Sequence, residues 1–292
     1  MSHSDQFWSE KVVFVTGGSS GIGLAAARLL ATMGAHVWLA ARRKPLLEAA
    51  LKDLEAVCRT PSQHCGIVSA DLSDPEQAAE AVSKVIAIVG TPDVIINSAG
   101  VAHPGYIQDL PLDVFRWMMD VNYFATVHTI KALLPGMIER RSGHIINISS
   151  IAGYMGIFGY TAYGASKFAV AGFSEVLRAE MKPYGVRVSV AFPPDTDTPQ
   201  LAYENQFKPP EEKAISGTTR PLSAVKVATA ILQQAARGQF LIFPGTDARL
   251  FYLLDKFLPK TLVFAVLDGL AAQGRNKKPY IAGPSLSEES SS

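Results

Sequence analysis

Val12 to Val15 is a short run of apolar residues that ends abruptly in Thr16-Gly17-Gly18-Ser19-Ser20-Gly21-Ile22-Gly23. An unbroken apolar run of this length reads as a strand buried on both faces. The residues after the glycines, Ile22 to Met33, read as a helix until Gly34 punctuates them. The same alternation recurs along the chain. Strands are expected at 36–41, 66–70, 93–97, 144–148, 186–192 and 240–243. Helices are expected at 45–57, 75–89, 161–184 and 223–237, with a long helical region over 112–140 interrupted near Pro135-Gly136. Strands separated by helices, at spacings too long for hairpins, demand right-handed crossovers and a parallel sheet.

The expected architecture is therefore α/β, a Rossmann-type doubly wound parallel sheet of about seven strands in a single domain. That domain should run over 11–245, preceded by an N-terminal arm at 1–10. It is followed by an apolar C-terminal extension at 246–283 and a Ser/Glu-rich tail at 284–292 that reads as disordered. A hydrophobic content of 48% with 18% charged residues supplies a substantial core. A formal net charge of +1 argues against a general nucleic-acid binder. Cys58 and Cys65 are the only cysteines, which suggests a reducing compartment and offers no metal framework. Residues 1–10 lack the apolar run of a signal peptide, and no stretch reads as an ordinary membrane span. The expected location is cytoplasmic, either free or peripheral on a membrane face.

The glycine-rich loop lies between a strand and a helix, where its backbone N–H groups can approach a pyrophosphate and the helix dipole favours negative charge. Gly17, Ser19, Ser20, Gly21, Ile22 and Gly23 are the candidate contacts. Its spacing differs from the commoner dinucleotide fingerprint. The second strand ends in Ala41-Arg42-Arg43-Lys44, with no carboxylate for ribose hydroxyls and cations suited to a 2′-phosphate. The expected cofactor is NADPH. Asp71, after the third strand, can either accept from an adenine amino group or cap the next helix.

Tyr163 and Lys167 stand one helical turn apart, which puts a phenol and an ammonium on one face. A phenol titrates near pH ~10 in water, and a neighbouring positive charge lowers that value. Ser150 can hold a substrate oxygen beside them, making a proton-transfer device for a carbonyl or alcohol.

Taken in order, the glycine loop, Asp71-Leu72, Asn97-Ser98-Ala99-Gly100, Asn122, Ser150 and Tyr163-x-x-x-Lys167 resemble the short-chain dehydrogenase/reductase family over about residues 11–245. The resemblance implies that Tyr163 protonates the carbonyl oxygen and that Ser150 hydrogen-bonds it. It implies that Lys167 lowers the Tyr163 pKa and holds the nicotinamide ribose, and that Asn122 positions a water leading to solvent. It adds Leu72, Asn97, Ala99 and Gly100 to the cofactor contacts. A homodimer or homotetramer, joined through the 112–140 and 161–184 helices, is a further family expectation.

A narrower likeness lies in Pro193-Pro194-Asp195-Thr196-Asp197-Thr198-Pro199, with Glu204-Asn205 shortly after. These residues resemble the 3-ketodihydrosphingosine (3-dehydrosphinganine) reductase branch, where the wider family has Pro-Gly in place of Pro193-Pro194. This implies reduction of a long-chain lipid ketone, 3-ketosphinganine, to sphinganine. Pro193, Thr196 and Thr198 follow the sixth strand at the cofactor rim, where either threonine could reach the nicotinamide amide or the loop could be merely rigid. Other apolar ketones (a steroid, retinal or a 3-oxoacyl thioester) stay open, as does a non-catalytic nucleotide-sensing scaffold. The apolar stretches 249–259 and 262–267 could lie on a membrane, cover a lipid cleft, cap the core or meet another subunit.

Overall fold

The computed structural model describes residues 3–276. The strands are β1 (Val12–Thr16), β2 (His36–Ala41), β3 (Cys65–Ser69), β4 (Val94–Asn97), β5 (Gly143–Ile148), β6 (Val186–Ala191), β7 (Thr196–Asp197), β8 (Leu222–Ser223) and β9 (Leu241–Ile242). Seven of them form one sheet in the order β3-β2-β1-β4-β5-β6-β9, while β7 and β8 pair separately. Every neighbouring pair is parallel. Around the sheet lie α1 (His3–Trp8), α2 (Gly21–Thr32), α3 (Lys44–Glu55), α4 (Pro75–Val89), α5 (Leu112–Met119), α6 (Ala125–Glu139) and α7 (Thr161–Met181). They are followed by α8 (Pro199–Phe207), α9 (Pro210–Ser216), α10 (Ala224–Ala236), α11 (Thr246–Phe257) and α12 (Lys260–Arg275). The doubly wound parallel sheet expected from the alternation is the observed one.

Alternate residues of each strand enter opposite layers, as the strand's period of two requires. Val13 and Val15 of β1 and Val94 and Ile96 of β4 join Leu30, Leu47, Leu54 and Ile231 on one face. Phe14 and Ile95 join Val82, Val85, Leu133 and Leu177 on the other. Both faces are covered, which is why the strand sequences are apolar throughout.

The chain leaves β1 towards β2 and β3, then returns to pair β4 on the other side of β1. That reversal opens a crevice at the carboxyl ends of β1 and β4. Thr16 closes its floor by accepting from the backbone N–H groups of Ser98 and Ala99, both at 3.1 Å. Gly17 has φ +65°, and a Cβ there would lie 2.7 Å from the Ala99 nitrogen. No side chain fits that contact.

Three expectations change. The helical region over 112–140 is broken by a π-helical turn at Asp120–Phe124, not at Pro135, which lies inside α6. Pro135 removes one backbone hydrogen bond, but the buried Ile130, Leu133 and Met137 hold the helix to the sheet on both sides of it. Gly136 is there because a Cβ would collide with Thr91. The N-terminal segment is also more than an arm. Trp8 is fully buried in the first core layer, and Arg187 lies over the Phe7 ring at 5.1 Å. The apolar extension is a pair of helices, α11 and α12, and the tail expected at 284–292 lies outside the described residues. Among the described residues, no helix is long and apolar enough to cross a membrane.

Burial of Trp8 anchors the end of α1 in the core. Trp8→Ala should lower the unfolding free energy by about 3–5 kcal/mol, measured by urea denaturation. A loss below about 1 kcal/mol would show that the segment only lies on the surface.

Candidate active site

A single cavity of about 580 Å³ runs from the glycine loop, past the ends of β4, β5 and β6, to the C-terminal helices. Its first wall is the β1–α2 turn. Ser20 is the N-cap of α2 but makes no side-chain cap hydrogen bond, so the first-turn N–H groups are left for another acceptor. Gly17, Ser19, Ser20, Gly21 and Ile22 all line the cavity. Gly23 does not. A Cβ on it would strike the Gly17 carbonyl oxygen at 2.5 Å, so its work is to let α2 pack against its own turn.

At the far end of β2, Arg42 and Arg43 border the cavity with Asp71 and Leu72. The Arg42 guanidinium is about half exposed and 3.9 Å from Asp71. Asp71 is not the helix cap. Asp74 fills that role by accepting from Glu76 and Gln77 N–H groups, whereas Asp71 accepts from the Ser73 N–H and hydroxyl. The donor-rich turn, the half-exposed Arg42 cation and the Asp71 carboxylate together fit a nicotinamide dinucleotide, with pyrophosphate at α2 and the adenosine half near Arg42.

Asn97 was expected to touch the cofactor and instead sits between the sheet and α7. Its amide donates to Asn147 at 2.8 Å, and Asn147 donates to Ser174 at 2.9 Å. Parallel register places Asn97 directly opposite Asn147, so this polar chain replaces an apolar contact inside the core. Ala99 and Gly100 do line the cavity. A Cβ on Gly100 would come within 3.3 Å of the Lys167 ammonium.

Ser149 and Ser150 end β5 with different tasks. The Ser149 hydroxyl donates to the Lys167 carbonyl at 2.8 Å and anchors α7. Ser150 caps the short 3-10 turn after β5 by accepting from the Ala152 N–H at 3.2 Å, and it is near enough to Tyr163 to favour the ionised phenol. Tyr163 opens α7, and Lys167 follows one turn later with its ammonium 5.7 Å from the Tyr163 ring centre. The Lys167 ammonium donates to the Ile148 carbonyl at 3.1 Å. Burial pulls Lys167 down to about 8, against the pull of Glu204.

The Tyr163 phenol is shifted opposite to the sequence expectation. Burial and the nearby Glu204 carboxylate push it above its usual value, and the Ser150 hydroxyl only partly offsets them. Asp195 adds to the upward push, and the Lys167 ammonium stays 5.7 Å from the ring centre. Tyr163 is thus held as the acid.

Asn122 is fully engaged within the protein. It accepts from Val101 N–H at 2.7 Å and donates to the Val101 carbonyl and the Ser166 hydroxyl. Both amide donors are used, so the side chain offers the water it was expected to hold only the second acceptor site of its oxygen. The π turn at Asp120–Phe124 aims it inward, and it fixes the Val101 strand-end loop against α7.

Pro193, Thr196 and Thr198 line the cavity, and each threonine hydroxyl has its proton committed to a nearby carbonyl, so either meets a carboxamide only as an acceptor. Thr196 donates to the Pro194 carbonyl at 2.8 Å. Thr198 donates to the Thr196 carbonyl and caps α8 by accepting from Leu201 N–H. The Thr198 methyl lies 3.3 Å from where a Gly21 Cβ would sit, which puts it beside the pyrophosphate wall.

A buried polar cluster beside Tyr163 was not anticipated as a unit. Tyr160, whose ring centre is 5.3 Å from that of Tyr163, donates to Glu204 at 2.5 Å. Lys208 bridges Asp195 and Glu212, each at 3.0 Å. Burial pushes the Glu212 carboxyl up to about 7, with Lys208 pulling the other way. Lys208 and Glu212 stand four residues apart, but Pro209 and Pro210 lie between them at the start of α9, so no helical face announces the pair. The remaining wall is apolar and comes from α11 and α12, including Phe251, Leu254, Leu258, Leu262 and Val266. Of the alternatives for the extension, the cover over a cleft is the one these contacts support.

The geometry agrees with three comparisons. The family model described as short chain dehydrogenase matches residues 11–209. The 3-ketodihydrosphingosine reductase of Bos taurus is 41% identical over 260 residues, spanning 88% of this chain and 77% of the relative. Dehydrogenase/reductase SDR family member 7B of Xenopus laevis is 38% identical over 97% of this chain and 88% of its own length. The L-sorbose reductase of Gluconobacter frateurii, solved with NADPH and L-sorbose, superposes with a TM-score of 0.71 at 25% identity, covering 80% of this chain and 95% of that one. With the Ser150–Tyr163–Lys167 corner at the end of a doubly wound parallel sheet, the chain belongs to the short chain dehydrogenase family of oxidoreductases.

Proposed function

We propose that the protein reduces 3-ketosphinganine to sphinganine with NADPH as reductant. One observation carries this reading: a single cavity joins the Ser150, Tyr163 and Lys167 side chains to a wall of alkyl and aromatic groups from α11 and α12. Such a cavity suits a ketone borne on a long apolar chain. The name of the bovine relative, similar over most of both chains, supports this choice of lipid.

The nicotinamide dinucleotide supplies the hydride. Ser150 holds the carbonyl oxygen, and Tyr163 gives that oxygen its proton as negative charge develops there. Burial favours this direction, because it keeps the phenol protonated until a stronger base forms beside it. Lys167, a cation below about pH 8, stabilises the tyrosinate left behind. Arg42 supports NADPH over NADH, since it offers a planar cation at the end of β2 where no carboxylate of that strand's end competes.

With purified protein, NADPH oxidation should be far faster with 3-ketosphinganine than with a 3-oxoacyl thioester or a steroid ketone. Preference for either alternative would overturn the reading. Tyr163→Phe should lower kcat by roughly 10²–10⁴-fold while NADPH still binds by fluorescence titration. Near-normal turnover would remove Tyr163 from its role. Arg42→Ala should raise the KM for NADPH by roughly tenfold or more and leave that for NADH much less changed. Equal effects on the two dinucleotides would mean that Arg42 does not read the 2′-phosphate.

A further inference from the structure

We propose that Glu204 pairs with the ammonium group that a 2-amino-3-ketone carries beside its reacting carbonyl, and so selects sphingoid-base ketones over other apolar ketones. This rests on the functional reading above and names the contact that would give that reading its specificity.

Glu204 lies on α8 and lines the cavity, with only 7% of its surface exposed. Its two oxygens accept from the Tyr160 hydroxyl and, at 2.8 Å, from the Gln200 amide. Both donors are neutral. A carboxylate has roughly four acceptor sites, so capacity remains on the cavity side. Among the described residues no cation pairs with Glu204. Lys208 gives its ammonium to Asp195 and Glu212, both at 3.0 Å.

The position relative to the chemistry is equally specific. Tyr160, which donates to Glu204, has its ring centre 5.3 Å from that of Tyr163. Glu204 is close enough to act electrostatically on both Tyr163 and Lys167. An amino group on the carbon next to the carbonyl is therefore offered a carboxylate on the same wall as the proton donor.

The charge balance points to a cationic ligand. Asp195, Glu204 and Glu212 border this end of the cavity, and Lys208 pairs with the first and third. Burying a carboxylate beside neutral donors is costly unless a cation joins it. Burial does raise the Glu204 carboxyl, a shift that an incoming ammonium would reverse. A phosphate-bearing thioester carrier would be repelled here, and a neutral steroid would leave the carboxylate uncompensated. The apolar wall from Leu258, Leu262 and Val266 accommodates the alkyl chain.

The test uses NADPH with 3-ketosphinganine and with 1-hydroxyoctadecan-3-one, which lacks the amine. Wild-type protein should favour the amino ketone in kcat/KM by roughly 10–100-fold, mainly through KM. In Glu204→Gln the ratio of the two specificity constants should collapse towards one. Equal loss on both ketones in the variant would overturn the proposal and mark Glu204 as a positioning residue for Tyr160. Absence of any preference in the wild type would overturn it without recourse to a variant, while leaving the assigned reduction intact. No turnover of either ketone by the wild type would overturn the functional reading, and this inference with it.

Discussion

The contact between the end of β1 and the loop after β4 organises the molecule. Thr16 accepts two backbone N–H groups from Ser98 and Ala99, and Gly17 turns away with no room for a side chain. This joins two parallel strands whose chains go on to opposite sides of the sheet, and it fixes where α2 begins. The α2 N-terminus, the Ala99-Gly100 segment and the Lys167 ammonium then converge on one space. A side chain at Gly17 would separate the strands that make the floor, and the rest of the cavity would lose its shared frame.

Within that frame, burial decides the electrostatics. It raises Tyr163, lowers Lys167 and raises Glu204 and Glu212. All four shifts disfavour charge, as removal from water requires. Lys208 is the exception, held charged by Asp195 and Glu212 in spite of burial. The cavity therefore combines a polar cluster that holds a compensated cation with an apolar wall built by α11 and α12. Such an arrangement suits a ligand with a polar head and an alkyl tail.

Much of the fold was legible because its signals are local. The strand at Val12–Thr16, the helix at Pro75–Val89 and the one-turn spacing of Tyr163 and Lys167 need only neighbouring residues to be read. Residues whose role depends on a distant partner were read less well. Gly23 and Asn97 belong to motifs near the cofactor, yet one serves packing against Gly17 and the other a hydrogen bond to Asn147. Thr198 reads as a contact for the nicotinamide, and the fold gives it a second task that local sequence did not show, capping α8. Pro135 looked like a break, but core burial on both sides holds the helix through it.

The sequence by itself determined the alternation of strands and helices, the glycine turn, and the residue types able to move a proton, because periodicity and spacing are properties of neighbours. The tertiary structure decided the direction of the Tyr163 shift, since that depends on how much water the folded chain excludes and on Glu204, far away in sequence. It also decided that the C-terminal helices wall the cavity and that Tyr160, Glu204, Lys208 and Glu212 form one cluster. Those outcomes arise from elements meeting across the end of the sheet, where distance along the chain carries no information about distance in space.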